Sequence, residues 1–217
     1  MRRIPRELAM KAAVFFATRE GQTRKIAERI ASDLRARDME VDLHDVRALR
    51  APIDWPAYTI ACVAASVHIG HHEREMIEFV RRHRTELERV GAVFVSVTLS
   101  EAGAEDPHAP AERRARSAAD AQRMIDVFVK ETGWKPARSL PVAGALVYTQ
   151  YNVLVRYVMK RIARSQGAPI DTTRDYEFTD WNAVDRFVDE SLSKRVGGID
   201  PRGSACRKPA SAERHQG

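Results

Sequence analysis

The sequence predicts a doubly wound α/β fold, with five parallel strands in the order 2-1-3-4-5 and helices on both faces of the sheet. Short apolar runs alternate with segments of helical periodicity, which is the pattern of successive βαβ units. The runs are apolar throughout, as expected for strands that helices cover on both faces. A length of 217 residues suits one such domain and is too short for two ordinary domains with linkers.

The first strand, loop and helix are predicted from a change of period. Residues 11–17 form a continuous apolar run. Beyond them Ile26, Ile30 and Leu34 recur at helical spacing, with charged side chains around the rest of the circumference. A tight loop must join the two patterns, and we expect the helix to begin at about Gln22.

The remaining elements follow the same alternation. Four further strands are predicted at 41–44, 58–65, 92–97 and 140–146, with a short extra strand segment at 176–179. One helix is expected across Met76 to Leu87 and a charged helix from about 117 to 130. Asp180 is expected to cap a last helix that carries Trp181 and Leu192.

Two stretches exceed what this plain fold needs. Residues 100–116 are rich in Ala, Pro, Glu and Arg and are predicted to be a polar loop. Residues 148–175 form a long insertion near the last strand, and within it 151–164 has the pattern of a basic amphipathic helix. Such a helix suits contact with an anionic membrane surface. It equally suits a helix that packs its apolar stripe on the sheet and leaves its basic side in water.

Composition limits the location and the partners. Residues 1–9 are predicted to be a disordered extension, with Met10 as an alternative start, 10–195 to be the domain, and 196–217 to be a disordered tail. No apolar run approaches the roughly 20 residues that a bilayer requires, which favours a cytoplasmic protein. The net charge of +6 favours anionic partners. Nucleic acid is not predicted, because no helix-turn-helix, aromatic platform or zinc signature accompanies the charge.

The two cysteines indicate neither a disulfide framework nor a metal cluster, because Cys62 lies in an apolar run and Cys206 in the polar tail. A metal bound by His68, His71 and His72 would need a further ligand that the sequence does not supply, so no metal is predicted.

The loop after the first strand has the features of a phosphate site. Thr18 and Thr23 offer hydroxyls, Gly21 allows a positive φ, and a helix N-terminus follows. The missing Gly-Lys-Ser/Thr ending excludes a Walker loop, and the missing Gly-x-Gly-x-x-Gly weakens a dinucleotide site. From spacing alone, an ordinary βα turn with capping threonines is an equally good interpretation.

Five stretches of the sequence carry a resemblance to a known family. Phe16-Ala17-Thr18-Arg19-Glu20-Gly21-Gln22-Thr23 resembles the FMN phosphate loop of flavodoxins, and most of all that of the menaquinone-dependent protoporphyrinogen oxidases of the flavodoxin superfamily. Residues 65–72, 94–99, 143–148 and 176–181 resemble the same family in the same order. The resemblance covers Met10 to Ser191. It implies a flavodoxin-like three-layer sandwich and an FMN-dependent oxidase of haem biosynthesis that passes electrons from protoporphyrinogen IX to a quinone.

The same resemblance implies a set of cofactor-binding residues. Around the phosphate these are Ala17, Thr18, Arg19, Glu20, Gly21, Gln22 and Thr23. Around the isoalloxazine ring they are Ser66, Val67, His68, Ile69, Gly70 and His71, and in a third flavin loop Val97, Thr98, Leu99 and Ser100. His68 or His71 is the candidate to take the pyrrole proton.

Two departures from the family pattern keep other functions open. Ala17 stands where the family usually has a hydroxyl residue, and Ile69 where an aromatic residue is common. The alternatives are a flavodoxin-like electron carrier, another quinone reductase of this fold, and a scaffold that has lost its flavin. Arg113, Arg114 and Arg116 could bind substrate propionates or form a solvated helix start.

Overall fold

The structure is a computed structural model that describes residues 10–146, 171 and 173–196, the last four as backbone only. In chain order its elements are β1 (Lys11–Ala17), α1 (Gln22–Arg35), β2 (Glu40–Asp45), a 3₁₀ turn (Trp55–Ala57), β3 (Ile60–His68), β4 (His71–His72), α2 (Arg74–Arg82), α3 (Arg84–Arg89), β5 (Val93–Thr98), α4 (Leu99–Glu105), α5 (Ala111–Thr132), β6 (Ser139–Ala143), β7 (Ala145–Leu146), β8 (Tyr176–Glu177) and α6 (Trp181–Val196).

The main sheet confirms the predicted topology. Its parallel strands lie in the order β2-β1-β3-β5-β6, which is 2-1-3-4-5 once the small strand β4 is left out of the numbering. Ala17 lies opposite Ala65, and Ser66 lies opposite Val97. The carboxyl ends of β1, β3 and β5 therefore meet at one edge of the sheet, the edge at which doubly wound folds bind their ligands.

Helices cover both faces of this sheet, which confirms the three-layer sandwich. On one face Ile26 of α1 and Phe187 of α6 belong to one core cluster. On the other face Phe79 of α2 and Phe128 of α5 belong to a second cluster. Cys62 lies buried in the first cluster, and burial raises the pKa of its thiol to about 12, so it is the core cysteine that the sequence predicted.

The predicted polar loop at 100–116 is wrong. Helix α4 begins directly after β5, and α5 begins at Ala111 rather than at about 117. Ala, Glu and Arg are good helix formers, and Pro110 stands just before the first turn of α5, where a proline does no harm. The predicted helix across Met76 to Leu87 is two helices, because the chain leaves helical geometry at His83.

The predicted strand at 140–146 is divided at Gly144. β6 continues the parallel sheet, whereas β7 pairs antiparallel with β8, the short strand expected near residue 176. A Cβ atom on Gly144 would lie 3.4 Å from Val97 Cγ1, so the chain passes close to β5 there. The Asp180 carboxylate accepts the N–H of Ala183 at 3.0 Å, which confirms the predicted cap.

Three predictions fall outside the described residues. They are the extension at 1–9, the basic helix at 151–164 and the tail at 196–217, apart from Val196, which ends α6. No helix among the described residues combines the length and the apolar character that crossing a bilayer would need.

Candidate functional site

The loop between β1 and α1 has the geometry of an anion site. The N–H of Gly21 donates to Thr18 Oγ1 at 3.0 Å, and Gly21 itself has a φ of +91°. No side chain caps the N-terminus of α1, and its first turn carries no acidic residue. The N–H groups of that first turn and the positive end of the helix dipole are therefore directed at this loop.

Thr23, in the first turn of α1, carries a buried hydroxyl without a partner. Its side chain belongs to a residue that is 1% exposed, and Oγ1 has no hydrogen-bond partner among the described residues. Leaving a buried hydroxyl unpaired costs about 1–3 kcal/mol. A ligand with acceptor oxygens at the start of α1 would remove that penalty, so the residues present fit a phosphate group.

Two polar contacts from distant segments hold this loop. Arg47 Nη1 donates to the carbonyl oxygen of Thr18 at 2.8 Å. Gln22 Nε2 donates to Thr179 Oγ1 at 2.8 Å, and Thr179 in turn donates to the carbonyl oxygen of Ala143 at 2.8 Å. Neither contact was predictable from the sequence, because Arg47 and Thr179 are far from the loop along the chain.

The second candidate loop is the tight hairpin between β3 and β4. Val67 pairs with His72 and His68 with His71, leaving Ile69 and Gly70 at the tip. Both tip residues have positive φ, +49° and +80°. Ile69 is 91% exposed, so an apolar, β-branched residue is held in a strained backbone conformation and faces solvent.

Glu73 holds this hairpin from beneath. Its side chain is 0% exposed. Oε1 accepts a hydrogen bond from Ser66 Oγ at 3.1 Å and lies 3.1 Å from His68 Nε2, while Oε2 accepts from Arg19 Nε at 3.0 Å. Burial alone would raise the pKa of Glu73, but the hydrogen bonds and charges of His68 and Arg19 outweigh it and lower that pKa. Glu73 is therefore ionised at neutral pH. Glu73 was not predicted from the sequence, although a carboxylate just after a strand end was a usable signal.

The three neighbouring histidines have separate environments. Only His68 points into the network under the hairpin, with a side chain 26% exposed. His71 lies on the outside, with Nδ1 3.4 Å from a carboxylate oxygen of Glu131 on α5. His72 is buried, with Nε2 2.9 Å from Ser96 Oγ, and burial lowers its pKa to about 3, which keeps its ring neutral. Within the described part of the chain, no three His, Cys, Asp or Glu side chains are grouped for a metal.

The third predicted flavin loop is the start of a helix. Val97 and Thr98 end β5 and are buried, while Leu99 and Ser100 open α4. Thr98 Oγ1 accepts the N–H of Ser100 at 3.2 Å and so caps α4. The expectation of a loop here was wrong, because this capping hydroxyl lets the helix begin at once.

Acidic side chains follow this helix start. Burial raises the pKa of Glu105 on α4 to about 7, with repulsion from Glu101 and Asp180 as the smaller causes.

The arginines at the start of α5 lie in solvent. Arg113 and Arg116 are exposed and Arg116 pairs with Glu112, as expected for a solvated helix start.

The three segments converge at one edge of the sheet. Arg19 and Glu73 join the first loop to the second by an ion pair, and Glu20 Oε1 lies 4.0 Å from His68 Nδ1. Ser66 and Val97 are paired neighbours on β3 and β5. Ala17 is the buried last residue of β1 and offers no hydroxyl. His71 lies on the outer side of the hairpin, and Leu99 and Ser100 lie in α4.

Comparisons with known proteins show the family of this chain. A family model described as a flavodoxin domain matches residues 13–173. A protoporphyrinogen IX dehydrogenase [quinone] of Escherichia coli (strain K12) is 32% identical over 181 residues, which cover 83% of this chain and 94% of that protein. A protein of the same name from Leishmania major is 27% identical over 202 residues, which cover 90% of this chain and 80% of that protein.

Solved structures of flavodoxins also align with the chain. A short-chain flavodoxin associated with a bacterial microcompartment aligns over 85% of this chain and 98% of its own, with a TM-score of 0.48 and 13% identity. The family model covers most of the domain, and the dehydrogenase of E. coli matches along nearly its whole length. The chain therefore belongs to the flavodoxin family.

Proposed function

We propose that this protein is an FMN-dependent protoporphyrinogen IX dehydrogenase of haem biosynthesis that uses a quinone, such as menaquinone, as its electron acceptor. The observation that carries the proposal is the match to relatives of that name, at 32% identity over 83% of this chain and 94% of the E. coli protein. The unpaired hydroxyl of Thr23 at the start of α1 supports the FMN part of the proposal independently of any relative.

The phosphate of FMN would be held by the β1–α1 loop. The hydroxyl of Thr23 and the N–H group of Gln22 would donate to its oxygens, and Thr18 would keep the loop in shape by accepting the N–H of Gly21. Arg47 and Thr179 would fix the loop from outside the site. The family's usual hydroxyl is missing at Ala17, so Thr23 would carry a larger share of phosphate recognition here.

The isoalloxazine ring would lie between the β3–β4 hairpin and the end of β5. Residues 66–70 would line one side, and Val97 and Thr98 the other. The exposed aliphatic side chain of Ile69 would cover part of the ring and exclude water from it. When bound, FMN would supply a two-electron acceptor, which no protein side chain offers.

The overall reaction removes six electrons and six protons from the porphyrinogen in three two-electron steps. Each step would reduce one quinone to a quinol, so three quinones balance one porphyrinogen. The contribution of the protein is to position the substrate, to exclude water and to accept protons.

The test is a fluorescence assay with purified protein, FMN, protoporphyrinogen and a quinone in the absence of oxygen. We expect porphyrin fluorescence to rise only when protein, FMN and quinone are all present. No rise above the protein-free background would refute the proposal. A yellow protein that binds FMN tightly but oxidises no porphyrinogen would instead favour the second candidate, a flavodoxin-like electron carrier or another quinone reductase, which the family match alone also allows.

Peripheral membrane contact through residues 151–164 is a separate part of this proposal. The segment lies outside the described residues, so the support for this contact is the amphipathic, basic pattern of the sequence alone. Sedimentation with vesicles that contain anionic lipid should capture the protein at low salt, and neutral vesicles should not. Equal recovery with both kinds of vesicle would contradict electrostatic contact.

A further inference from the structure

The buried carboxylate of Glu73 is a costly feature of the hairpin. A carboxylate removed from water is tolerated only where charged and hydrogen-bonding partners surround it. Here Arg19 occupies Oε2, and Ser66 and His68 share Oε1. No prediction from the sequence assigns this residue a role, and nothing in a plain hairpin requires a buried charge beneath it.

This carboxylate determines which nitrogen of His68 carries the hydrogen. Nε2 lies 3.1 Å from the ionised Glu73 Oε1 and 3.4 Å from Ser66 Oγ, whose own hydrogen goes to Glu73, so both neighbours favour a hydrogen on Nε2. In the neutral ring, Nδ1 then holds the lone pair. Nδ1 makes no hydrogen bond within the described part of the chain, and its nearest acidic atom is Glu20 Oε1 at 4.0 Å. The arrangement leaves one basic nitrogen free at the edge where the flavin ring is proposed to lie.

On the basis of the proposed function, we propose that Glu73 is a positioning residue for His68 and that His68 Nδ1 accepts the proton that the porphyrinogen loses in each two-electron step. A pyrrole N–H bond breaks, its electron pair stays on the macrocycle, and an N–H bond forms at Nδ1. The accompanying hydride would come from a meso carbon of the substrate; FMN, when bound, would supply the two-electron acceptor, and the quinone would finally take both electrons. After the third step the remaining extra meso hydrogen moves to a ring nitrogen, so that four meso hydrogens and two N–H hydrogens are lost in all. His68 then releases its proton to water, to which its side chain is 26% exposed.

The surrounding charges suit this role. Glu73 and Glu20 face the two nitrogens of His68 and stabilise the imidazolium that forms. Arg19 pairs with the other oxygen of Glu73 and keeps that carboxylate ionised, so Glu73 does not compete for the proton. This is the division of labour between a buried acid and a histidine in which the acid orients and the ring transfers.

The first experiment reads the tautomer of His68 in the cofactor-free protein. With ¹⁵N-labelled histidine at alkaline pH, ¹H–¹⁵N correlation spectra should show His68 protonated at Nε2, with the signal assigned by its loss in His68→Asn. Glu73→Gln should shift the population toward a mixture of tautomers. The matched control is Glu78→Gln on α2, whose exposed carboxylate pairs with Arg74 and should leave His68 unchanged. Protonation of His68 at Nδ1 in the wild type would overturn the proposal, whether or not Glu73→Gln folds.

The second experiment measures turnover of the FMN-loaded enzymes. Glu73→Gln should lower kcat about tenfold with little change in KM, because the ring of His68 would no longer be held with Nδ1 free to accept a proton. The double variant with His68→Asn should be no slower than His68→Asn alone, because Glu73 acts through His68. If the decreases in kcat of the two single variants multiply in the double variant, Glu73 acts independently of His68, and that result would overturn the proposal.

The two hypotheses fail in different ways. FMN affinity is measured for every variant, so that lost cofactor is not mistaken for lost proton transfer. If the wild type oxidises porphyrinogen but Glu73→Gln matches it in kcat, the inference fails and the proposed function stands. If the wild type binds FMN and oxidises no porphyrinogen, the proposed function fails and takes the proton-transfer role with it.

Discussion

Replacing Thr23 by Val should stabilise the protein without FMN and weaken its binding of FMN. Valine has nearly the same shape and a similar helix propensity, so the change removes little but the buried, unpaired hydroxyl. Removing an unpaired buried hydroxyl should stabilise the cofactor-free protein by about 1 kcal/mol, or roughly 2–4 °C in Tm for a chain of this size. The loss of one hydrogen bond to a charged phosphate should weaken FMN binding by about 1.5–3 kcal/mol, which is roughly 10- to 100-fold in Kd.

The measurements are urea unfolding of the cofactor-free protein and titration of flavin fluorescence. Thr132→Val in α5 is the matched control, since Thr132 is equally buried but its hydroxyl donates to the carbonyl oxygen of Phe128 at 2.7 Å. That variant should lose about 1–2 kcal/mol of stability and keep the wild-type Kd for FMN. A Thr23→Val protein that is less stable than wild type, or that binds FMN equally well, would refute the assignment of Thr23 to the phosphate.

Three further predictions concern the backbone and the pH dependence. Gly21→Ala should lower the free energy of unfolding by about 1–2 kcal/mol and weaken FMN binding, because alanine is strained at a φ of +91°. A clash would not add to this loss, because a Cβ atom there would meet nothing within 4 Å. A variant with the melting temperature of the wild type would contradict this prediction. Ile69→Asn should raise the stability of the cofactor-free protein by a few tenths of a kcal/mol, because asparagine tolerates positive φ, and should loosen FMN by removing an apolar cover; unchanged values in melting and titration would count against both effects. His72, whose pKa is lowered to about 3 from 6.5, binds its proton more readily in the unfolded chain. The stability present above pH 6.5 should therefore fall as the pH is lowered, by at most about 5 kcal/mol. His72→Gln should flatten the urea-unfolding profile between pH 4.5 and 6.5, and a slope equal to that of wild type would show that the ring is not neutral in the fold.

Elements whose contacts are local were predictable from the sequence. The first strand was predicted at its observed bounds, and α1 begins at Gln22, because the apolar run ends where the helical period starts. The loop that follows was predictable because its contacts are also local. Gly21 has the expected positive φ and donates its N–H to the hydroxyl of Thr18, and the hydroxyl of Thr23 lies in the first turn of α1.

Elements that depend on backbone pairing or on propensity were misjudged. β3 runs to His68 rather than Ala65, because the β3–β4 hairpin pairs polar residues by backbone hydrogen bonds and shows no apolar run. Helix α4 and the first turns of α5 are rich in helix formers but lack an apolar stripe. Because helical periodicity is absent there, the sequence pattern predicted a loop. Glu73 was missed because its partner Arg19 is 54 residues away, and only the fold brings the two together.

Two unfavourable features of the described structure lie at the edge where FMN is proposed to bind. Thr23 leaves a buried hydroxyl unpaired, and Ile69 combines positive φ with 91% exposure. Strain and unpaired groups of this kind persist where a ligand removes them. FMN at 100 times its Kd should stabilise the folded state by about 2.7 kcal/mol, and more at higher excess. The same residues that lower the stability of the cofactor-free protein should therefore supply the stabilisation by FMN. Thr23→Val and Ile69→Asn should each raise the melting temperature without FMN and reduce the further rise that FMN produces, whereas Thr132→Val should lower both melting temperatures in parallel.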